Sequence, residues 1–64
     1  MKRIVVLGAG ESGTGAAILA QAKGMEVFVS DMGEIAPMYQ ALLDQHHIAW
    51  ESGKHTPELI LDAD

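Results

Sequence analysis

Three observations predict an α/β class for this chain, with parallel strands alternating with helices. A β-branched run, Arg3 to Leu7, leads straight into a glycine turn spaced Gly8-x-Gly10-x-x-Gly13. A second strand-like run, Glu26 to Asp31, ends on a carboxylate 21 residues after Gly10. Between and beyond these runs apolar residues recur at helical spacing, so the whole reads β-α-β-α-β-α. Such alternation implies a parallel sheet with right-handed crossovers. It describes one half of a doubly wound, Rossmann-like three-layer fold with strand order 3-2-1.

Each element has its own warrant. The run Arg3 to Leu7 lacks polar alternation, as expected of a strand covered on both faces. A helix is expected from about Ser12 to Lys23, with Ser12 suited to its N-cap and Gly24 to its C-terminal end. Gly13, Ala17, Ala20 and Gly24 form one stripe of small residues that lets this helix lie close to a sheet. After the second strand, Met32-Gly33 turns the chain, and Pro37 suits the first turn of a second helix. Ile35, Met38 and Leu42 supply that helix with an apolar face, widened by Tyr39 and Leu43. His47 to Trp50 reads as a short third strand, and Thr56-Pro57 opens a third helix through "PELILDAD". The sequence ends in that helix, where a fourth strand is expected beside the first. Residues 1–64 therefore read as a truncated amino-terminal domain whose first strand is an open apolar edge, suited to self-association.

Composition narrows the function classes. Nine acidic against four basic residues give a formal charge of -5, which opposes binding to nucleic acid or to anionic membrane surfaces. The apolar runs Ile4 to Leu7 and Ala16 to Ala20 fall far short of the roughly 20 residues that cross a bilayer. Met1-Lys2-Arg3 is basic, but the glycines and Glu11 that follow do not make a signal peptide. There is no cysteine, so disulfides are excluded and a reducing cytoplasm is the expected compartment. His46 and His47 are adjacent and point apart, so with His55 they make no metal set; capping and surface roles fit them better. Tyr39 and Trp50 read as core or subunit-interface residues, and no nucleophile–base arrangement or GxxxxGK[ST] loop is present.

The glycine turn carries the chemistry. Gly8 allows the tight exit from the strand, Gly10 lets backbone approach a diphosphate, and Gly13 lets helix and strand pack closely. Ser12 and the free N–H groups of the first helical turn face the anion, where the helix dipole adds to the attraction. Glu11 is expected to point outward, leaving its backbone in contact. Asp31 can accept hydrogen bonds from a ribose hydroxyl or a base N–H, or can serve as a strand-end turn former. The spacing is shared by nucleotide-binding domains of oxidoreductases that use NAD or FAD, and by non-enzymatic nucleotide sensors.

A more specific signal is spread along the chain. The stretch from "MKRIVVLGAGESGTGAA" through "FVSD" to "HHIAWESGKHT" resembles the amino-terminal end of the Mur ligase family, in the D-glutamate-adding form of Bacteroidetes-type bacteria. The resemblance covers essentially all 64 residues. It implies the UDP-binding part of an ATP-dependent ligase of peptidoglycan synthesis, which joins D-glutamate to UDP-N-acetylmuramoyl-L-alanine through an acyl phosphate. By the same resemblance Gly8, Gly10, Glu11, Ser12 and Gly13 would meet the uridine and diphosphate. Asp31 would accept the uracil N3–H, with the Met32 backbone supporting the base. Some members carry Thr-Arg after the aspartate where this chain has Met32-Gly33, so a cation near the uracil or phosphates is missing. ATP and Mg2+ belong to later domains of such a ligase. These residues alone would hold no cofactor, contain no catalytic residue and be inactive.

Overall fold

The computed structural model describes residues 2–61. It shows β1 (Arg3–Leu7), α1 (Glu11–Ala22), β2 (Glu26–Asp31), α2 (Pro37–Gln45), β3 (Ala49–Ser52) and α3 (Pro57–Ile60). The strands form one parallel sheet in the order β1-β2-β3, with Val5 beside Phe28 and Val29 beside Trp50. The fold is therefore α/β with a parallel sheet, consistent with the Rossmann-like class.

Strand alternation sends Ile4, Val6, Val27, Val29 and Trp50 to one face of the sheet and Val5, Phe28, Ser30 and Glu51 to the other. The first face carries the core. Ala17 and Ala20 of α1, Leu43 of α2, and Ile35 and Ile48 of the flanking turns bury against Val27 and Val29. Within α1 the small-residue stripe does what its spacing predicts, with Ala17 fully buried and Ala20 buried against the sheet, whereas Gly24 lies exposed beyond the helix end. The second face takes α3, held by Arg3, whose Nη1 donates to Leu59 O at 2.8 Å while its guanidinium lies 5.8 Å from the Phe28 ring centroid.

Several boundaries differ from the expectations, each for a local reason. α1 begins at Glu11 with Gly10 as N-cap, so Ser12 lies inside the first turn, exposed, and is not the cap. Met38 is 63% exposed; α2 instead buries Leu43, with Tyr39 partly covered and Ile35 seated in the preceding loop. The third strand is Ala49–Ser52, two residues later than expected at each end. The shift follows from the end of α2, where His47 takes φ 58° and Ile48 N–H reaches back to Leu43 O at 2.9 Å. That closes a Schellman motif, so the chain straightens only at Ala49. α1 ends the same way, with Gly24 at φ 86° and Met25 N–H on Ala20 O at 3.2 Å. β1 is half-covered, with Leu7 63% exposed, and not enclosed on both faces. α3 spans Pro57–Ile60, while residues 62–64 of the expected helix lie outside the described residues.

Candidate functional site

The carboxyl ends of β1 and β2 adjoin, and the structure brings the sequence-predicted residues together there. Gly8 N–H continues the ladder to Ser30 O at 2.8 Å, after which Gly8 turns at φ 104°. Gly10 caps α1, and the first intrahelical bond runs from Thr14 N–H to Gly10 O at 2.9 Å. The N–H groups of Glu11, Ser12 and Gly13 precede that bond and lie at the positive end of the helix dipole. Glu11 and Ser12 are exposed. Gly13 is where a side chain cannot fit: a Cβ would stand 1.9 Å from Gly8 O. Gly10 has open space where its Cβ would be.

Asp31 ties the two strand ends to each other. Its Oδ2 accepts the Ala9 N–H at 2.8 Å and its Oδ1 accepts the Gly33 N–H at 2.9 Å. The Ala9 N–H, then the Gly33 N–H, hold the carboxyl below the usual carboxylate range, against partial burial and with a smaller pull from His55. Asp31 is thus an ionised acceptor at neutral pH. Each oxygen keeps lone-pair capacity beyond its backbone bond. The turn-forming role is realised in the Gly33 bond. Met32 is 63% exposed on the same turn. The result is an open ledge lined by backbone N–H groups and one carboxylate.

Other polar residues were not singled out by the sequence. Thr14 is 2% exposed, with Oγ1 donating to Ala9 O at 3.2 Å, which braces the glycine turn from behind. On the far face of the sheet Ser30 and Glu51 are buried side by side, Ser30 Oγ to Glu51 Oε2 at 2.8 Å. Glu51 also accepts Thr56 N–H at 2.7 Å and the Thr56 hydroxyl. These bonds, the hydroxyl first, lower the Glu51 carboxyl below its ordinary range, with burial opposing and Lys54 adding a minor attraction. The only advance sign was a carboxylate five residues before Thr56, a pattern with no fixed meaning until the strand is placed.

His46 is the C-cap of α2 and its carbonyl accepts Gln21 Nε2 at 2.6 Å, while His47 forms the turn. Trp50 packs against the core and its Nε1 donates to Asp44 Oδ1 at 2.8 Å. Among the described residues no group of His, Cys, Asp or Glu is placed to hold a metal ion. Nor is any described helix long and apolar enough to cross a membrane.

A glycine turn entering a helix, beside a parallel strand that ends on an acceptor carboxylate, defines a Rossmann-like α/β domain. Comparison with known proteins narrows the class. The chain belongs to the family described as MurD N-terminal domain, whose model matches residues 3–64. It is similar to the UDP-N-acetylmuramoylalanine–D-glutamate ligase of Bacteroides thetaiotaomicron, 70% identical over 64 residues, covering 100% of this chain and 14% of that relative. The ligase of the same name from Porphyromonas gingivalis is 63% identical over 60 residues, 94% of this chain and 13% of the relative. That of Chlorobium phaeobacteroides is 43% identical over 63 residues, 98% of this chain and 13% of the relative. The chain thus spans about one seventh of the length of the curated relatives it matches. No solved structure matches it.

Proposed function

We propose that this chain is the UDP-substrate-binding part of a cytoplasmic, ATP-dependent ligase that adds D-glutamate to UDP-N-acetylmuramoyl-L-alanine in peptidoglycan synthesis. The relatives' shared name supports the substrate, and their greater length supports placing ATP, Mg2+ and D-glutamate in other parts of the protein. In this reading the sheet is one half of a doubly wound sheet, and residues 1–64 alone are inactive. The backbone N–H groups of Gly10 to Gly13 meet the diphosphate, and Ser12 adds a hydroxyl to them. The Glu11 side chain stays in solvent. Asp31 accepts the uracil N3–H, and Met32-Gly33 supports the base through its backbone.

The observation that carries the reading is the Asp31 carboxylate, ionised and aimed by two backbone N–H groups beside a helix N-terminus that carries no side-chain cap bond. An anion site and an acceptor side by side suit a uridine diphosphate, whose phosphates need donors and whose base N–H needs an acceptor. An NAD or FAD domain would use the same carboxylate on a ribose, so the ligand separates the readings. In an amide-shift titration, UDP is expected to move Gly10 to Gly13 and Asp31, and NAD to leave them in place. Shifts with NAD alone would overturn the ligase reading. Asp31→Ala is expected to weaken UDP binding about tenfold, the scale of one charge-assisted hydrogen bond. Unchanged affinity would leave Asp31 as a turn former only.

A further inference from the structure

Behind the nucleotide ledge, on the opposite face of the sheet, lies a polar cluster that the proposed function does not use. Ser30 is completely buried, one residue before Asp31. Its Oγ lies 2.8 Å from Glu51 Oε2, 3.2 Å from Lys54 O and 2.5 Å from His55 Nδ1. A hydroxyl has one hydrogen to give. With two oxygens that can only accept beside it, Ser30 spends that hydrogen on them, the nearer being ionised Glu51. His55 must then supply the proton at Nδ1, as the Nδ1–H tautomer or as imidazolium. Glu51 meanwhile takes both the N–H and the hydroxyl of Thr56, which fixes the far end of the same turn. The near end is fixed by Gly53 N–H on Gly33 O at 3.0 Å, a bond into the turn that follows Asp31.

We propose that His55 is a positioning residue for the Asp31–Gly33 turn, acting through Ser30 and held in place by the Glu51-anchored turn 53–56. The inference rests on the nucleotide-binding reading and deepens it. In the Asp31–Gly33 turn Asp31 is half-buried and Met32 and Gly33 are exposed, and the turn must present one carboxylate and one stretch of backbone to a nucleoside diphosphate. Besides the ladder that pairs Asp31 with Ser52, it is tied by the Ala9 N–H on Asp31 and by the turn 53–56, where His55 meets Ser30 and Gly53 N–H meets Gly33 O. Loss of the His55 donor removes the link between that turn and Ser30, leaving the Gly53–Gly33 bond in place and the core on the α1/α2 face untouched.

The test measures UDP affinity by calorimetry in the complete ligase that carries this domain, for the unaltered protein, His55→Leu and His55→Asn. It adds nitrogen shifts of histidine-labelled protein to read the His55 tautomer. His55→Leu is expected to bind UDP about tenfold more weakly with little change in melting temperature, and His55→Asn, whose amide can donate from nearly the same place, to recover most of it. Unaltered His55 should show a proton on Nδ1. Equal UDP affinity in His55→Leu overturns the inference, and so does an equal loss in both variants, which would mark a packing role. Should His55→Leu fail to fold, the asparagine variant and the tautomer decide: a neutral ring protonated only on Nε2 refutes the donor role. Absence of UDP binding by the unaltered protein would instead bring down the proposed function, and this inference with it.

Discussion

His47 is the one described non-glycine residue with positive φ, at 58°, in the position that ends α2. A β-carbon there crowds the backbone, and a non-glycine residue in this region costs on the order of 1 kcal/mol or more. His47→Gly is therefore expected to stabilise the fold by about 1 kcal/mol and raise the melting temperature by about 5 °C. Thermal unfolding followed by circular dichroism checks this; a lower melting temperature would mean that the imidazole makes a contact worth more than the strain. Gly13 presents the opposite case. Its missing side chain is a packing requirement, since a Cβ would overlap Gly8 O at 1.9 Å. Gly13→Ala must push α1 away from β1 and is expected to cost about 2–3 kcal/mol, read from the urea midpoint. Both glycine requirements at the turn, Gly8 and Gly13, were legible from spacing alone, because the motif encodes a backbone path. The Thr14 brace and the strain at His47 were not, because nothing in a sequence marks a threonine or histidine for those places.

Among the elements, β3 and its following turn hold the clearest pH dependence. Glu51 has its carboxyl lowered from an ordinary 4.5 by the Thr56 hydroxyl, the Thr56 N–H and Ser30, so the folded state favours the ionised form. The stability this brings is fully present above pH 4.5 and is lost as pH falls through the lower folded value. Asp31, lowered from 3.8 by Ala9 and Gly33, adds to the same acid limb, its contribution being present above pH 3.8 and lost as pH falls through its lowered value. Glu51→Gln should be less stable than the parent at pH 7, and its stability should fall less steeply below pH 4.5. Urea titrations at pH 3 to 7 give both slopes, and parallel slopes would show that Glu51 is not the linked group. The same element shows where sequence reading stops. Glu51 and Ser52 look like loop residues by polarity, yet they pair with Ser30 and Asp31 inside the sheet. A carboxylate is tolerated there because three hydrogen bonds await it on the far face, and those partners come from β2 and from the α3 N-terminus.

For the molecule as a whole, a Cα radius of gyration of 10.6 Å matches the roughly 10.7 Å expected of a folded chain of this length. Among the described residues its sheet is nonetheless open along β1. Glu26 N–H on Lys2 O and Gly8 N–H on Ser30 O turn the even-numbered backbone groups of β1 toward β2. Val5 and Leu7 therefore direct their N–H and C=O outward. With Leu7 63% exposed and no charge from Ile4 to Leu7, this edge has little to discourage pairing. Residues 1–64 expressed alone are expected to self-associate through it. Sedimentation velocity should show a mass that rises with concentration, and Val5→Pro should abolish that rise by removing an edge N–H. A clean monomer at high concentration would show that the net charge of -5 outweighs the edge.

Local pattern was enough for the class of fold, the glycine turn, the small residues that α1 buries and the carboxylate that ends β2. Each depends on periodicity or on backbone freedom within a few residues, and those are properties a sequence carries directly. The same holds for the family, since the segments around the glycine turn, "FVSD" and "HHIAWESGKHT" are specific as strings. The start of β3, the exposed side of α2, the bracing by Thr14 and the Ser30–Glu51–His55 cluster depended on long-range packing. Ser30 and His55 lie 25 residues apart and meet only once β2 and β3 pair in register. A buried hydroxyl or carboxylate is stable only beside its partner, so its burial follows from the assembled sheet and not from its own neighbours in the chain.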